Sequence, residues 1–234
     1  MDRTAIEKIV EIAEPHIIEE NGFTYTDKDL DVVREPKVRT IDLKTLSSLV
    51  KLIKLEENTY NSPVIIRVTT PTVVDVFSGI SISDRSREEP YSVKAEVAEF
   101  NFGQWYSYER MMIALRSKFV ETPELLELVQ LLGTITEENN MQIADDGFTQ
   151  TVTVRKGVVL KDNKVVKPRV KLIPFSTFSE VKQPERELLL RLDGSGSVAL
   201  FEADGGAWKL EARKNIADYL KSELEDVKSV TIVE

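Results

Sequence analysis

Asp145 and Asp146 are adjacent carboxylates, and adjacent hard oxygens are what a magnesium site requires. They also precede Gly147, and aspartate before glycine is what a β-turn selects for conformational reasons alone. Glu180-Val181-Lys182 ends like the E-x-K of metal-dependent nucleases, but no partner acid stands on a preceding strand. Asp193-Gly194-Ser195-Gly196-Ser197 is rich in glycine, yet no Walker lysine and no helix follow it, so it reads as a hairpin loop and not a phosphate cradle. Binding chemistry is better represented. Phe100, Phe102, Trp105, Tyr106 and Tyr108 form the densest aromatic stretch, and Arg110 and Arg116 follow directly. Aromatic faces stack on bases and guanidinium forks grip phosphates, so Trp105, Tyr106, Arg110 and Arg116 are candidates for a nucleotide-like ligand. The competing reading is that the rings pack a core. Residues 155–191 carry ten basic and four acidic side chains, Arg169 among the former. That local excess can meet a phosphate, or can simply clothe the wet face of a hairpin.

Other chemistries are excluded by composition. The 234 residues include no cysteine, which removes disulfides, thiolate metal sites and cysteine nucleophiles. The single histidine, His16, stands beside Pro15 with no catalytic partner nearby in the sequence. General acid–base catalysis at neutral pH usually recruits histidine or a strongly shifted carboxylate, so a binding role without turnover is expected, with no cofactor and no metal. A net charge of −9 argues against coating duplex DNA, where affinity comes from neutralised phosphates. No apolar run approaches the ~20 residues that span a bilayer. The chain starts with an amphipathic pattern and not a secretory signal, so a cytoplasmic location is expected.

The elements that would position these residues follow from periodicity. Ile6, Ile9, Val10, Ala13 and Ile17 predict a helix over 4–20, opened by a Thr4-x-x-Glu7 capping box, disturbed at Pro15 and stopped by Asn21-Gly22. Asp42 is expected to cap a second helix reaching Glu57, and strands are expected over 64–70, 72–78 and 91–100. Ser107 should cap a helix carrying Tyr108, Met112, Leu115 and Phe119, and Thr122-Pro123-Glu124 opens another that ends at Gly133. Beyond Gly147 the chain turns to strands, with a hairpin tip at 161–164, a final helix over 215–225 and a last strand over 227–233. Without a repeat or an evident linker, residues 1–234 are expected to form a single α+β domain with a mostly antiparallel sheet and helices packed on one side.

Four elements carry a family resemblance. Residues 100–122 hold the aromatic–arginine stretch, and Asp145, Asp146, Gly147 and Gln150 give Asp-Asp-Gly-x-x-Gln. Pro174, Phe175, Thr177, Phe178, Glu180, Gln183 and Pro184 give a proline followed by aromatic-x-Thr-Phe-x-Glu-x-x-Gln-Pro, and residues 199–212 complete the set. Together, over about residues 95–213, they resemble the YfdQ-like family of phage and prophage proteins, a family of unknown function. Ser176 departs from the arginine expected at that position. The resemblance implies a phage origin and action inside the infected bacterial cell, supplies no reaction, and adds Gln150, Phe175 and Phe178 to the ligand-binding candidates.

The expected function is therefore a phage-encoded, non-catalytic binding protein that counters host defence by sequestering a nucleotide-derived signal, working as a homo-oligomer. The alternative is an accessory of phage DNA replication or recombination that binds single strands or a host protein. A metal-dependent nucleotide-processing enzyme built on Asp145 and Asp146 ranks third.

Overall fold

The computed structural model describes residues 2–20, 23–27, 37–57, 63–82, 85–136, 141–145, 150–156, 159–193 and 197–234; for 20, 23, 134–136, 141–145, 150–156 and 159–166 it describes the backbone alone. The chain divides into two compact units, Met1–Lys37 and Val38–Glu234. The smaller unit holds a helix, α1 (Arg3–Ala13), and an antiparallel pair, β1 (Ile17–Glu20) with β2 (Phe23–Thr26). Helix α1 stops well short of the expected end. Glu14 precedes Pro15 and takes an extended conformation (φ −71°, ψ 138°), the geometry that proline imposes on its predecessor. The expected capping box is absent. The helix begins at Arg3, so Thr4 lies inside it, its hydroxyl donates to Asp2 at 2.6 Å, and Glu7 pairs with Arg3 instead. Asn21-Gly22 lies outside the described residues.

The larger unit is α+β and mostly antiparallel. Its elements are β3 (Ile41–Leu43), α2 (Leu46–Leu55), β4 (Val64–Thr70), β5 (Val73–Phe77), β6 (Tyr91–Lys94), β7 (Trp105–Ser107), α3 (Tyr108–Lys118) and α4 (Pro123–Thr136). After these come β8 (Met141–Asp145), β9 (Gln150–Lys156), β10 (Val159–Val166), β11 (Arg169–Leu172), β12 (Arg186–Leu192), β13 (Ser197–Glu202), α5 (Trp208–Glu223) and β14 (Val230–Val233). One sheet has the order β14-β4-β5-β6-β3, with its two outermost pairs parallel. Val64, Ile66, Val68, Val74, Val76, Tyr91 and Val93 alternate onto the face covered by α2 and α5, and all are buried. A second sheet, β11-β12-β13-β7, is wholly antiparallel. It buries Val170, Leu172, Leu188, Leu190, Leu192, Val198 and Leu200 against α3 and α4. Strands β8, β9 and β10 form an antiparallel meander.

Local chemistry explains where the helices begin. Thr45, and not Asp42, caps α2, because its hydroxyl accepts the Ser48 N–H at 3.3 Å while Asp42 is held in β3 beside β6. Ser107 caps α3 as expected, and Thr122 accepts the Leu125 N–H at 3.1 Å ahead of Pro123 in the first turn of α4. Helix α4 runs through Gly133, whose cost of about 1 kcal/mol the buried Leu125, Leu128, Val129 and Leu132 outweigh. Strand pairing after Tyr91 ends at Lys94, and the expected hairpin tip at 161–164 lies within β10, because Lys156 already pairs with Val159. Helix α5 begins at Trp208, seven residues ahead of Asn215. There Asp204 accepts from the N–H groups of Gly206 (3.0 Å) and Trp208 (3.4 Å), across a turn in which Gly205 and Gly206 both have positive φ.

Burial has one titration consequence. Tyr108 lies in the α3–α4 core, and desolvation, aided by the charge of Asp193, pushes its phenol up to about 12. Below pH 10 both folded and unfolded chains keep that proton. Between pH 10 and 12 only the unfolded chain releases it, so stability falls as pH rises through this window, by at most about 1.4 kcal/mol per pH unit. Urea titrations across pH 9–12 should show this slope in the wild type and a shallower one in Tyr108→Phe.

Candidate ligand-binding face

The sheet β11-β12-β13-β7 has two faces of different character. One is the core face under α3 and α4. On the other, strand register places Arg191, Ala199 and Trp105 in one row across β12, β13 and β7. The next row holds Arg169, Leu189 and Phe201. With strands ~4.8 Å apart, Arg191 and Trp105 stand roughly 10 Å from each other, a spacing that an aromatic base and its phosphate can bridge. Trp105 is 50% exposed and meets Phe201 edge-on, ring centroids 6.4 Å apart. Gly103 takes φ 77° just before β7, a left-handed conformation that glycine adopts without strain. One guanidinium nitrogen of Arg191, Nη1, is buried without a hydrogen-bond partner among the described residues. Arg169 is committed to Glu187 at 2.7 Å, and Lys171 lies 3.4 Å from Glu185.

The residues predicted from sequence separate in space. Trp105 is on this face. Tyr106, the next residue, points the opposite way and stacks on Phe100 (5.2 Å, 23° between planes), which also packs edge-on against Phe102 and Phe119. Most of the aromatic cluster is thus core. Arg110 and Arg116 are exposed on α3, which covers the other side of the sheet. Phe175 is partly exposed in the segment after β11, while Phe178 is only 1% exposed and can present no ring to a ligand. The side chains of Asp145 and Gln150, and all of Asp146, lie outside the described residues. Among the described residues no group of three or more His, Asp or Glu converges as metal ligands would. Phe201, Leu189 and Arg191 were missed as a set, although the strand alternation that places them together is present in the sequence.

His16 has a partner that sequence adjacency does not reveal. Its backbone N–H donates to Asp27 at 2.8 Å, and its Nδ1 lies 2.9 Å from the other carboxylate oxygen. These contacts hold the Asp27 carboxyl below its ordinary pKa and tie the two ends of the β1–β2 pair together. Both side chains are exposed, and the arrangement fits a clasp more closely than a catalytic dyad.

The segment between β11 and β12 has the most unusual polar chemistry. The Gln183 side-chain oxygen accepts the N–H groups of Ser176 (2.8 Å) and Thr177 (3.1 Å), and its amide donates to the carbonyls of Phe178 (2.9 Å) and Val181 (3.3 Å). Thr177 donates to the Pro71 carbonyl, and Phe178 and Val181 enter the core beneath α2 and α5. At the start of β12, Arg186 pairs with Glu202 at 2.6 Å, donates to the Ser176 hydroxyl and lies 3.5 Å above the Trp208 ring centroid. This motif is a crosspiece between the two sheets.

Comparison with family models, with curated proteins and with solved structures gave no match. No helix among the described residues is long and apolar enough to cross a membrane.

Proposed function

We propose that the chain is a non-catalytic binding protein that takes a nucleotide-like ligand on the outer face of β11-β12-β13-β7. The observation that carries this reading is the half-exposed Trp105, backed edge-on by Phe201 and sharing a strand row with Arg191. Trp105 offers the base a stacking surface, and the half-buried Arg191, with Nη1 enclosed, brings a positive charge to the same row. Base–aromatic stacking contributes about 1–3 kcal/mol per base and a charged hydrogen bond about 1.5–3 kcal/mol, which together correspond to binding no tighter than tens of micromolar. A small ligand suits the face better than a strand, because a chain of net charge −9 disfavours every further phosphate. In the phage setting that the family resemblance implies, such capture would sequester a nucleotide-derived defence signal in the host cytoplasm.

Calorimetric titration with AMP, cyclic AMP, a cyclic dinucleotide and a ten-residue oligothymidylate tests the reading. At least one small nucleotide should bind and be recovered intact after heat denaturation, with magnesium or manganese present. Trp105→Ala should weaken binding about tenfold to a hundredfold, Arg191→Met by a similar factor, and Arg110→Ala not at all. Tighter binding of the oligomer, lost steeply with salt, would instead support the replication accessory. A hydrolysed product would support the enzyme.

A further inference from the structure

The two large sheets end in four outer strands, and three of these are protected against further pairing. The Lys171 N–H of β11 is taken by the Glu124 carboxylate at 2.9 Å, and the chain beyond β11 is bridged to residues 118–120. Strands β3 and β7 are three residues long, and β3 carries Asp42 at its centre. Strand β14, Val-Thr-Ile-Val, has no proline, glycine, charge or bulge to guard it. The Val64 N–H donates to the Ser229 carbonyl at 2.8 Å, which fixes the phase of the parallel β14–β4 ladder. In that phase Thr231 turns both backbone groups toward β4, so Val230 and Ile232 turn theirs outward. Those four groups meet no hydrogen-bond partner among the described residues. The side chains of Val230 and Ile232 pack against the core under α2 and α5, yet both stay partly exposed.

We propose that β14 is a self-pairing edge, joined antiparallel to β14 of a second copy of this chain about a two-fold axis through Thr231. The backbone phase selects this register. With the axis at Thr231, Val230 of each copy lies opposite Ile232 of the other, and each such pair exchanges both backbone bonds, four in all. Directly opposed residues of an antiparallel pair share a face. Val230 and Ile232 therefore meet on the core side and carry that core across the axis, while Thr231 meets its own copy on the outer side. Charge identifies the occupant as a second copy. Lys228 and Glu234 flank β14 and have no ion-pair partner among the described residues. They stand roughly 20 Å apart along one strand, too far to pair within it, but this register sets Lys228 of each copy opposite Glu234 of the other, twice. The ligand face lies on the other large sheet, so either proposal can fail alone.

Because the chain has no cysteine, single-cysteine variants of the full chain read the register directly. Thr231→Cys should oxidise to a disulfide-linked dimer, since a non-hydrogen-bonded antiparallel pair brings the two Cα atoms to ~4.5 Å, within disulfide reach. Val233→Cys should stay monomeric on a denaturing gel, because its own copy lies four residues along the ladder, roughly 14 Å away. Sedimentation equilibrium over a hundredfold concentration range should show the wild type as a dimer. Val230→Pro removes only an outward N–H, so circular dichroism should be unchanged while association weakens about a hundredfold. Lys228→Glu should weaken association about tenfold, and Lys228→Glu with Glu234→Lys should restore it. A wild-type monomer throughout would overturn the proposal and leave the edge to a strand of a different protein. So would a dimer indifferent to Val230→Pro, cross-linking of Val233→Cys as fast as Thr231→Cys, or a charge-swapped variant no tighter than Lys228→Glu.

Discussion

Phe178→Ala should lower the free energy of unfolding by about 3–5 kcal/mol, the usual cost of deleting a buried phenylalanine. The ring is 1% exposed and packs with α2, α5 and the β14-β4-β5-β6-β3 sheet, although it belongs to the segment joining two strands of the other sheet. Removal therefore leaves a cavity and also detaches the crosspiece. The site is unable to collapse easily, because Gln183 fixes the backbone on both sides of it through hydrogen bonds to residues 176–178 and 181. Gln183→Ala should cost about 2–3 kcal/mol by orphaning those buried groups. The two losses should be less than additive, since each loosens the same loop. Urea unfolding followed by fluorescence and circular dichroism measures all three variants. A Phe178→Ala cost under about 1 kcal/mol would mean that the segment merely lies against the core.

That segment shows what the sequence could and could not reveal. Helix starts at Ser107 and Thr122 were legible because their signals are local: a hydroxyl and an N–H three residues apart. Class and strand content were legible for a similar reason, since alternation over five or six residues declares a face. Phe178 was misassigned because its fate depends on α2 and α5, far away in the chain, and nothing in Phe-Ser-Glu-Val states that the ring turns inward. The His16–Asp27 contact was missed likewise, because strand register creates it. Asp42 and Thr45 compete for one role with equal local credentials, and pairing of β3 with β6 decides between them. On the ligand face, Trp105 was legible as an aromatic beside charge. Its true companions lie on β12 and β13, and only the antiparallel register brings Arg191 and Phe201 to it.

Arg186→Ala is expected to be the other severe substitution, at about 3–4 kcal/mol. The guanidinium is nearly enclosed, between the Trp208 ring at 3.5 Å and the Phe102 ring at 5.0 Å. Burial pushes its pKa below the ordinary arginine value, while the charges of Glu202 and Asp204 act to keep it protonated. Truncation leaves Glu202 without its 2.6 Å partner, removes a donor from Ser176 and empties the space under two rings. Glu202 is partly open to water and can rehydrate, which holds the loss to the lower part of the range for broken buried pairs. Variants of different shape separate the contributions. Arg186→Lys keeps the charge and loses the planar stack and fork, and should cost about 2 kcal/mol. Arg186→Met keeps most of the volume. It also removes Arg186 Nε, which like Trp208 Nε1 is a buried donor with no acceptor among the described residues. Arg186→Met should therefore cost less than Ala, and less still in combination with Glu202→Leu, where no carboxylate is left unpaired. A double-mutant cycle with Glu202→Ala should return about 1–3 kcal/mol of coupling. If Ala, Lys and Met all fall within 1 kcal/mol of wild type, the arginine is a passenger at the strand end. If Met alone is tolerated, packing between Trp208 and Phe102 is its contribution and the ion pair adds only position.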